Sequence, residues 1–152
     1  SGQVDPERSF VITGMERHVY SYPSRAIRNK DFLYIRNFHP EEWPTGEVKG
    51  HNPEYDFSVQ PWPTEEGAFS FNIDPSPAKQ YLRLNRSEDE TNRFANLAFL
   101  RHPNEELYDL SKDPEQINNV ADVSTYAKAK QRLRRQLDAE LIKSNDPQLA
   151  VD

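Results

Sequence analysis

Four histidines are the side chains of this sequence best suited to acid–base chemistry or metal binding. They are His18, His39, His51 and His102, and no two stand four residues apart, the spacing that places two imidazoles on one helix face. The acidic residues show no calcium-loop spacing, and the chain has no cysteine. It also lacks a glycine-rich phosphate loop and a Gly-x-Ser-x-Gly motif. The sequence therefore predicts no metal site, cofactor site or cysteine nucleophile formed by this chain alone.

A long segment rich in proline and aromatic residues is a candidate for sugar binding. Residues 38–77 show no helix or strand periodicity, and Trp43, Tyr55 and Trp62 could stack their flat faces on sugar rings. A loop of this length is typical of a functional segment or of one that wraps a neighbouring surface. The same aromatic side chains could instead cover an apolar face of this or another domain, and we favour that interpretation.

The charge and composition of the chain argue against two classes of partner. The 25 acidic and 19 basic residues give a net charge of −6, whereas nucleic-acid binding needs a basic surface. No run reaches the ~18 apolar residues that a membrane-spanning helix needs. Residues Ser1–Pro6 lack the basic and apolar regions of a signal peptide. The low apolar share, 35%, is compatible with disorder, but the aromatic share of 11% indicates a folded unit with a thin core that could lean on another surface.

Four short segments have the composition of strands. They are residues 9–13, 24–29, 32–37 and 106–110. The first ends at a glycine, and the three polar residues between the second and third predict a hairpin. In the third segment one face carries Phe32, Tyr34 and Arg36. The other carries Leu33 and Ile35, and we expect this second face to point to the core.

Three segments are predicted as helices, at residues 74–86, 88–101 and 124–143. Either Asp74 or Ser76 can cap the first helix. We expect Phe94, Leu97 and Ala98 to lie on and around one face of the second. The last is the clearest, because apolar residues recur along it at spacings of three and four. They are Tyr126, Ala129, Leu133, Leu137 and Leu141.

Basic residues of the last predicted helix lie off its apolar stripe. Lys128, Arg132 and Arg135 belong to this group. They could suit an anionic partner. The simpler interpretation, which we favour, is a solvated face on a helix that packs through its other side.

Two stretches carry a resemblance to a known family. They read RAIRNKDFLYIRNF at residues 25–38 and ELYDLSKDPEQINNVA at residues 106–121. Together with GMERH at residues 14–18 and SNDP at residues 144–147, they resemble the C-terminal subdomain of type I sulfatases, which depend on formylglycine. The heparan N-sulfatase (sulfamidase)-like enzymes look most similar. The resemblance spans about residues 9–148.

The resemblance implies a fold and a place in a larger protein. Residues 1–152 would be an α+β subdomain in which a small four-stranded antiparallel sheet packs against a C-terminal amphipathic helix at residues 124–143. The irregular aromatic and proline-rich loop would span residues 38–77. The parent would be an alkaline-phosphatase-like α/β sulfatase whose catalytic N-terminal domain is absent from this chain. A small sheet with one helix buries little surface alone, which fits a part of a larger domain.

The resemblance also implies a function for the parent protein. It would hydrolyse sulfate esters or sulfamates of sulfated sugars, and its N-terminal domain would carry the formylglycine and a bound calcium ion. This chain would complete the fold and the rim of the substrate pocket, and it would be inactive alone. Its partners would be the N-terminal sulfatase domain and the sulfated carbohydrate. The family places such enzymes in the periplasm, outside the cell or in the lysosome.

The same resemblance suggests substrate-binding residues. His18 leads, because an imidazole can donate a hydrogen bond to a sulfated, carboxylated sugar. Glu16 and Arg17 are weaker candidates. Asp146 could bind sugar hydroxyls or cap the turn before the next proline. A stand-alone carbohydrate-binding or interaction module that uses the Trp43–Trp62 loop is the alternative, and a purely structural subdomain is a third possibility.

One short match to the nucleophile signature of the family needs separate treatment. Residues 21–25, with the sequence SYPSR, fit the pattern Ser-x-Pro-x-Arg, so Ser21 would be converted to formylglycine. In the family a helix follows this signature, whereas a charged hairpin is predicted here. We therefore expect no catalytic residue in this chain, and we expect Arg25 and Arg28 to brace a domain interface through carboxylates.

Overall fold

A computed structural model describes residues 9–18, 21–42, 73–74, 76–85, 88–99 and 101–149 of the chain. Most of the predicted 38–77 loop, with Trp43, Tyr55 and Trp62, lies outside these residues. The elements are β1 (Val11–Arg17), β2 (Ser21–Arg28), β3 (Phe32–Asn37), α1 (Pro77–Leu84), α2 (Asp89–Phe99), β4 (Glu105–Asp109) and α3 (Ala127–Lys143). Short 3₁₀ turns lie at Pro40–Glu42, Ser124–Tyr126 and Pro147–Leu149. A search of the described residues finds no helix able to cross a membrane.

The chain divides into two compact units. The first contains the sheet and α3, and the second contains α1 and α2 together with residues 17–21. The sheet has four strands in the order β1-β2-β3-β4, and it confirms the predicted α+β class with an antiparallel sheet. The predicted hairpin is present, because Asn29 Oδ1 accepts hydrogen bonds from the amides of Asp31 and Phe32 at 2.9 and 2.7 Å.

The core of the first unit lies between the sheet and α3. Ile27, Tyr34 and Leu107 stand opposite one another on β2, β3 and β4 and are fully buried. They pack in one cluster with the predicted leucine stripe of α3, of which Leu133 and Leu137 are also fully buried. The amphipathic pattern of the last helix is thus confirmed, with the helix starting at residue 127 after one 3₁₀ turn.

The expected orientation of β3 is wrong. Tyr34 is fully buried against the core, whereas Leu33 and Ile35 on the opposite face are only half-buried. The tyrosine is compatible with a buried position because its hydroxyl donates to Glu105 Oε1 at 2.5 Å. On the same face Arg36 Nη1 donates to Asp138 of α3 at 2.9 Å. The polar ends of both side chains therefore find partners while their bodies pack under the helix.

Strand β1 is longer than predicted, because Gly14 lies inside the strand and does not end it. A Cβ atom at this position would stand 2.9 Å from the Arg25 Cδ atom. Glycine is therefore needed for close approach of a neighbouring side chain and not for a turn. The absence of a side chain at residue 14 lets the Arg25 side chain lie against β1.

The run at residues 106–121, which carries part of the resemblance, folds along β4. Asn119 Oδ1 accepts hydrogen bonds from the amides of Leu107 and Ala121 at 3.0 and 2.9 Å. Val120 N donates to the Leu107 carbonyl at 2.8 Å. The carboxylate of Asp113, which is buried, accepts from the amides of residues 117 and 118. The polar residues of this run therefore serve backbone hydrogen bonds of the fold.

The second unit contains the pair α1 and α2. Ser76, one of the two predicted caps, accepts from the Lys79 amide at 3.1 Å and begins α1. On α2, Phe94 of the predicted apolar face is 42% exposed. Ala95 is buried instead, against Ile73 and Leu82.

Candidate functional site

Two of the four predicted binding residues, Glu16 and Asp146, meet at a buried arginine. Arg25 Nε and Nη2 donate to the two carboxylate oxygens of Asp146 at 2.7 and 3.1 Å. Nη2 also pairs with Glu16 Oε1. Nη1 donates to the backbone carbonyls of Met15 and Ser24 at 3.3 and 2.9 Å. We call the set Arg25, Glu16 and Asp146 the arginine clamp.

The arginine clamp joins three parts of the first unit that are distant in sequence. Glu16 is near the end of β1, Arg25 is on β2, and Asp146 follows α3. Gln148 reinforces it, because its amide donates to Asp146 at 3.0 Å and its side chain donates to Glu16 at 2.8 Å. A planar guanidinium suits this arrangement, since it presents a fork of donors to each carboxylate.

The hydrogen bonds of the arginine clamp keep the side chains of Arg25 and Asp146 ionised. Burial alone would raise the pKa of Asp146, but the hydrogen bonds from Arg25 and Gln148 outweigh it and lower the pKa below its ordinary value. For Arg25, burial lowers the pKa, yet the hydrogen bonds that it donates to Asp146 and Glu16 leave the pKa raised. Both partners therefore stay charged at neutral pH. The contacts of Asp146 are those of the turn-capping alternative.

The other two predicted residues, Arg17 and His18, belong to the second unit. Arg17 is the last residue of β1, and His18 follows it. The imidazole of His18 lies 3.6 Å from a carboxylate oxygen of Asp74, and these side chains are 45% and 80% exposed. The sequence predicts Asp74 only as a possible helix cap. A pair separated by 56 positions leaves no signal in the sequence, so its partnership with His18 could not be foreseen.

The segment that fits the nucleophile signature forms a strand. Ser21 is the exposed first residue of β2, and the arginine of the signature, Arg25, is the centre of the clamp. Arg25 pairs with carboxylates of its own unit, while Arg28 Nη1 donates to the amide oxygen of Gln116 at 3.3 Å. Carboxylates thus hold Arg25 within its own unit, and the bracing of a domain interface by Arg25 and Arg28 stays a prediction.

No group of three or more His, Asp or Glu side chains in the described part of the chain is arranged to hold a metal ion. The donor set that the structure shows is a clamp around a guanidinium, and a cation would be repelled by Arg25. The described residues therefore do not fit the calcium ion of a sulfatase, and no chemical step is assigned to it here.

A separate charged cluster surrounds Asp109 at the end of β4. Hydrogen bonds from the Ser111 side chain, the Tyr126 hydroxyl and Lys112 lower the pKa of Asp109 to about 2. Its stabilising effect is present above the ordinary pKa of 3.8 and is lost as the pH falls through about 2.

Ser111→Ala should raise the pKa of Asp109, as followed by carboxyl ¹³C NMR titration. Ser144→Ala, whose hydroxyl donates to a backbone carbonyl, should leave it unchanged. An unchanged pKa in Ser111→Ala would contradict the assignment.

Comparisons with known proteins bear on what this chain is part of. No family model matches the chain. An ulvan-active sulfatase of Formosa agariphila is 27% identical over 143 residues, which cover 92% of this chain and 20% of that protein. The chain thus spans about a fifth of the length of this curated relative.

Solved structures give weaker similarities. A putative sulfatase from Bacteroides thetaiotaomicron has a TM-score of 0.49 and 16% identity, with 99% of this chain and 19% of that chain covered. A 2-O GAG sulfatase has a TM-score of 0.47 and 17% identity, with 95% and 18% covered. The sequence match along most of the chain shows homology to a sulfatase, of which this chain corresponds to a small part.

Proposed function

We propose that residues 1–152 form the C-terminal subdomain of a sulfatase that hydrolyses sulfate esters or sulfamates of sulfated sugars. The observation that carries this proposal is the 27% identity to an ulvan-active sulfatase over 92% of the chain. In the whole protein this part completes the fold and the rim of the substrate pocket. The catalytic partner is an N-terminal sulfatase domain, which supplies formylglycine and calcium. Such an enzyme works in the periplasm, outside the cell or in the lysosome.

His18 is the proposed contact with the sulfated sugar. Its imidazole is 45% exposed, and an imidazole can donate to a sulfate or carboxylate oxygen. The backbone before it is anchored, because Glu16 is held by Arg25 and Gln148 two residues earlier. An anchored strand end limits the entropy lost when an exposed side chain is ordered by a ligand. Arg17 and Glu16 are secondary candidates, and Asp146 contributes by holding the clamp.

The test is sulfate release by the full-length protein from sulfated glycans. His18→Asn should lower kcat/KM by about tenfold, the effect of losing one hydrogen bond to a charged group. His39→Asn is the matched control, because His39 is exposed and its positive φ of 51° suits asparagine. We expect the control to retain the wild-type kcat/KM. Unchanged kinetics in His18→Asn would favour the purely structural subdomain.

A further inference from the structure

The outer face of α3 carries three basic side chains in a row. Lys128, Arg132 and Arg135 are all exposed. Their spacings of four and three residues place them on one side of the helix. At 3.6 residues per turn this side lies about half a turn from the buried stripe of leucines 133, 137 and 141. We call these three residues the α3 basic face.

The other charged residues at the centre of α3 are used by the fold. Lys130 Nζ and Arg134 Nη1 lie 3.3 and 3.6 Å from Glu105 carboxylate oxygens. Asp138 accepts from Arg36 on β3 at 2.9 Å. No acidic side chain in the described part of the chain pairs with the α3 basic face. Lys130, Arg134 and Asp138 thus form ion pairs within the fold, whereas the α3 basic face forms none with the described acidic residues.

This face is unfavourable for the isolated helix. Lys128 and Arg132 stand at i,i+4, and Arg132 and Arg135 at i,i+3, spacings at which like charges repel. The helix has six basic and two acidic residues, whereas the whole chain carries −6. An acidic residue at any of these positions would relieve the repulsion at no cost to the buried side. The basic face has no acidic partner among the described residues, and its aligned charges are complementary to an anionic ligand.

We infer that the α3 basic face binds the sulfate and carboxylate groups of a sulfated polysaccharide. This choice of anion rests on the proposed function. Two guanidinium groups can each donate two parallel hydrogen bonds to one sulfate group, and the ammonium of Lys128 adds a point charge. From residue 128 to residue 135 the helix rises about 10 Å. The three cations therefore form a line that an extended polymer can follow with successive anionic groups.

The charge distribution favours a polysaccharide over a nucleic acid. A duplex carries a dense charge and needs a broad basic surface on the protein. The α3 basic face is a single narrow line on a chain of net charge −6. A duplex is wide enough to meet the rest of this acidic chain, which would repel it, whereas a thin sulfated polymer can lie along the helix alone.

The experiment measures binding of heparin, as a sulfated polysaccharide, to the full-length protein by calorimetry. The test variant is Lys128→Gln/Arg132→Gln/Arg135→Gln. The matched control, Arg28→Gln/Lys30→Gln/Lys143→Gln, removes the same number of exposed positive charges elsewhere. We expect the test variant to raise the Kd for heparin at least tenfold at 50 mM NaCl. We expect it also to reduce the slope of log Kd against log [NaCl] by about two. The control should bind heparin within about twofold of wild type, since its three charges lie outside the α3 basic face and act on the ligand only at long range.

Dextran, which is unsulfated, and a DNA duplex are the comparison ligands. Equal affinity of the test variant and wild type for heparin would overturn the inference, and so would a wild-type affinity for the duplex or dextran that matches heparin. Circular dichroism checks that the test variant keeps its helix content. Sulfate release is measured separately. If the test variant loses heparin binding while the wild type releases no sulfate, the result would support binding by the α3 basic face. It would count only against the proposed function.

Discussion

Asp146→Ala is expected to lower the free energy of unfolding by about 3 kcal/mol, because it leaves the charge of Arg25 buried with one partner fewer. The side chains of Arg25 and Asp146 are only 8% and 12% exposed. Breaking a buried ion pair costs about 3–5 kcal/mol, and we expect the lower end because Glu16 remains beside the guanidinium. Urea unfolding of the chain, followed by circular dichroism, measures the change.

The matched control is Asp138→Ala. Asp138 also pairs with an arginine of the sheet, Arg36, but these side chains are 28% and 31% exposed. A partly exposed ion pair contributes about 1 kcal/mol or less to the free energy of unfolding. If both substitutions destabilise the chain equally, burial of the clamp is not what makes Asp146 important.

The clamp also predicts how stability depends on pH. The pKa of Asp146 is lowered in the folded chain, so its contribution to stability is present above the ordinary value of 3.8 and is lost as the pH falls below it. The difference in stability between wild type and Asp146→Ala should therefore be constant near neutral pH and shrink in acid. A difference that stays constant down to pH 3 would contradict the charged pairing.

Tyr34→Ala is expected to cost about 4 kcal/mol, the usual range for deleting a large buried aromatic side chain. Tyr34 is fully buried between Ile27 and Leu107 on the neighbouring strands and lies in the cluster with α3. The substitution removes the ring from the centre of this core and leaves a cavity under the helix. The measurement is again urea unfolding of the chain.

Two further substitutions distinguish the contribution of the Tyr34 ring to stability from that of its hydroxyl, and the core face of β3 from the opposite face. Tyr34→Phe should cost about 1 kcal/mol, because it removes the hydrogen bond to Glu105 and keeps the ring. Ile35→Ala, on the half-buried opposite face, should cost about half as much as Tyr34→Ala, because the isoleucine side chain buries less apolar area on folding. An equal cost for residues 34 and 35 would contradict the assignment of the core face.

The orientation of β3 shows what pattern analysis lacks. Alternation correctly separated its residues into two faces, but hydrophobicity favoured Leu33 and Ile35 over a face with a tyrosine and an arginine. The choice of face depends on where β4 and α3 offer acceptors for the polar ends of the side chains. Glu105 and Asp138 accept from Tyr34 and Arg36, and both acids are distant in sequence from β3. Burial of such side chains is possible only when distant acceptors meet their polar ends.

For the candidate binding residues too, local motifs indicate the positions and contacts between distant segments decide the pairing. The GMERH and SNDP runs indicated Glu16, Arg17, His18 and Asp146, but their separate roles depend on Arg25, which the sequence suggested only as a brace. Tertiary structure brings Glu16 and Asp146 to Arg25 across 9 and 121 positions of sequence separation. It leaves His18 in the second unit beside Asp74.

By itself, the sequence determined the α+β class, the hairpin, the amphipathic last helix and the resemblance to sulfatases, because local periodicity, turn residues and short motifs are properties of neighbouring positions. Only the tertiary structure decided which face of β3 is buried, why Gly14 stands inside a strand and which carboxylates hold Arg25. These features depend on contacts between distant segments, where close packing and the need to pair every buried charge select one arrangement among those that the local pattern allows.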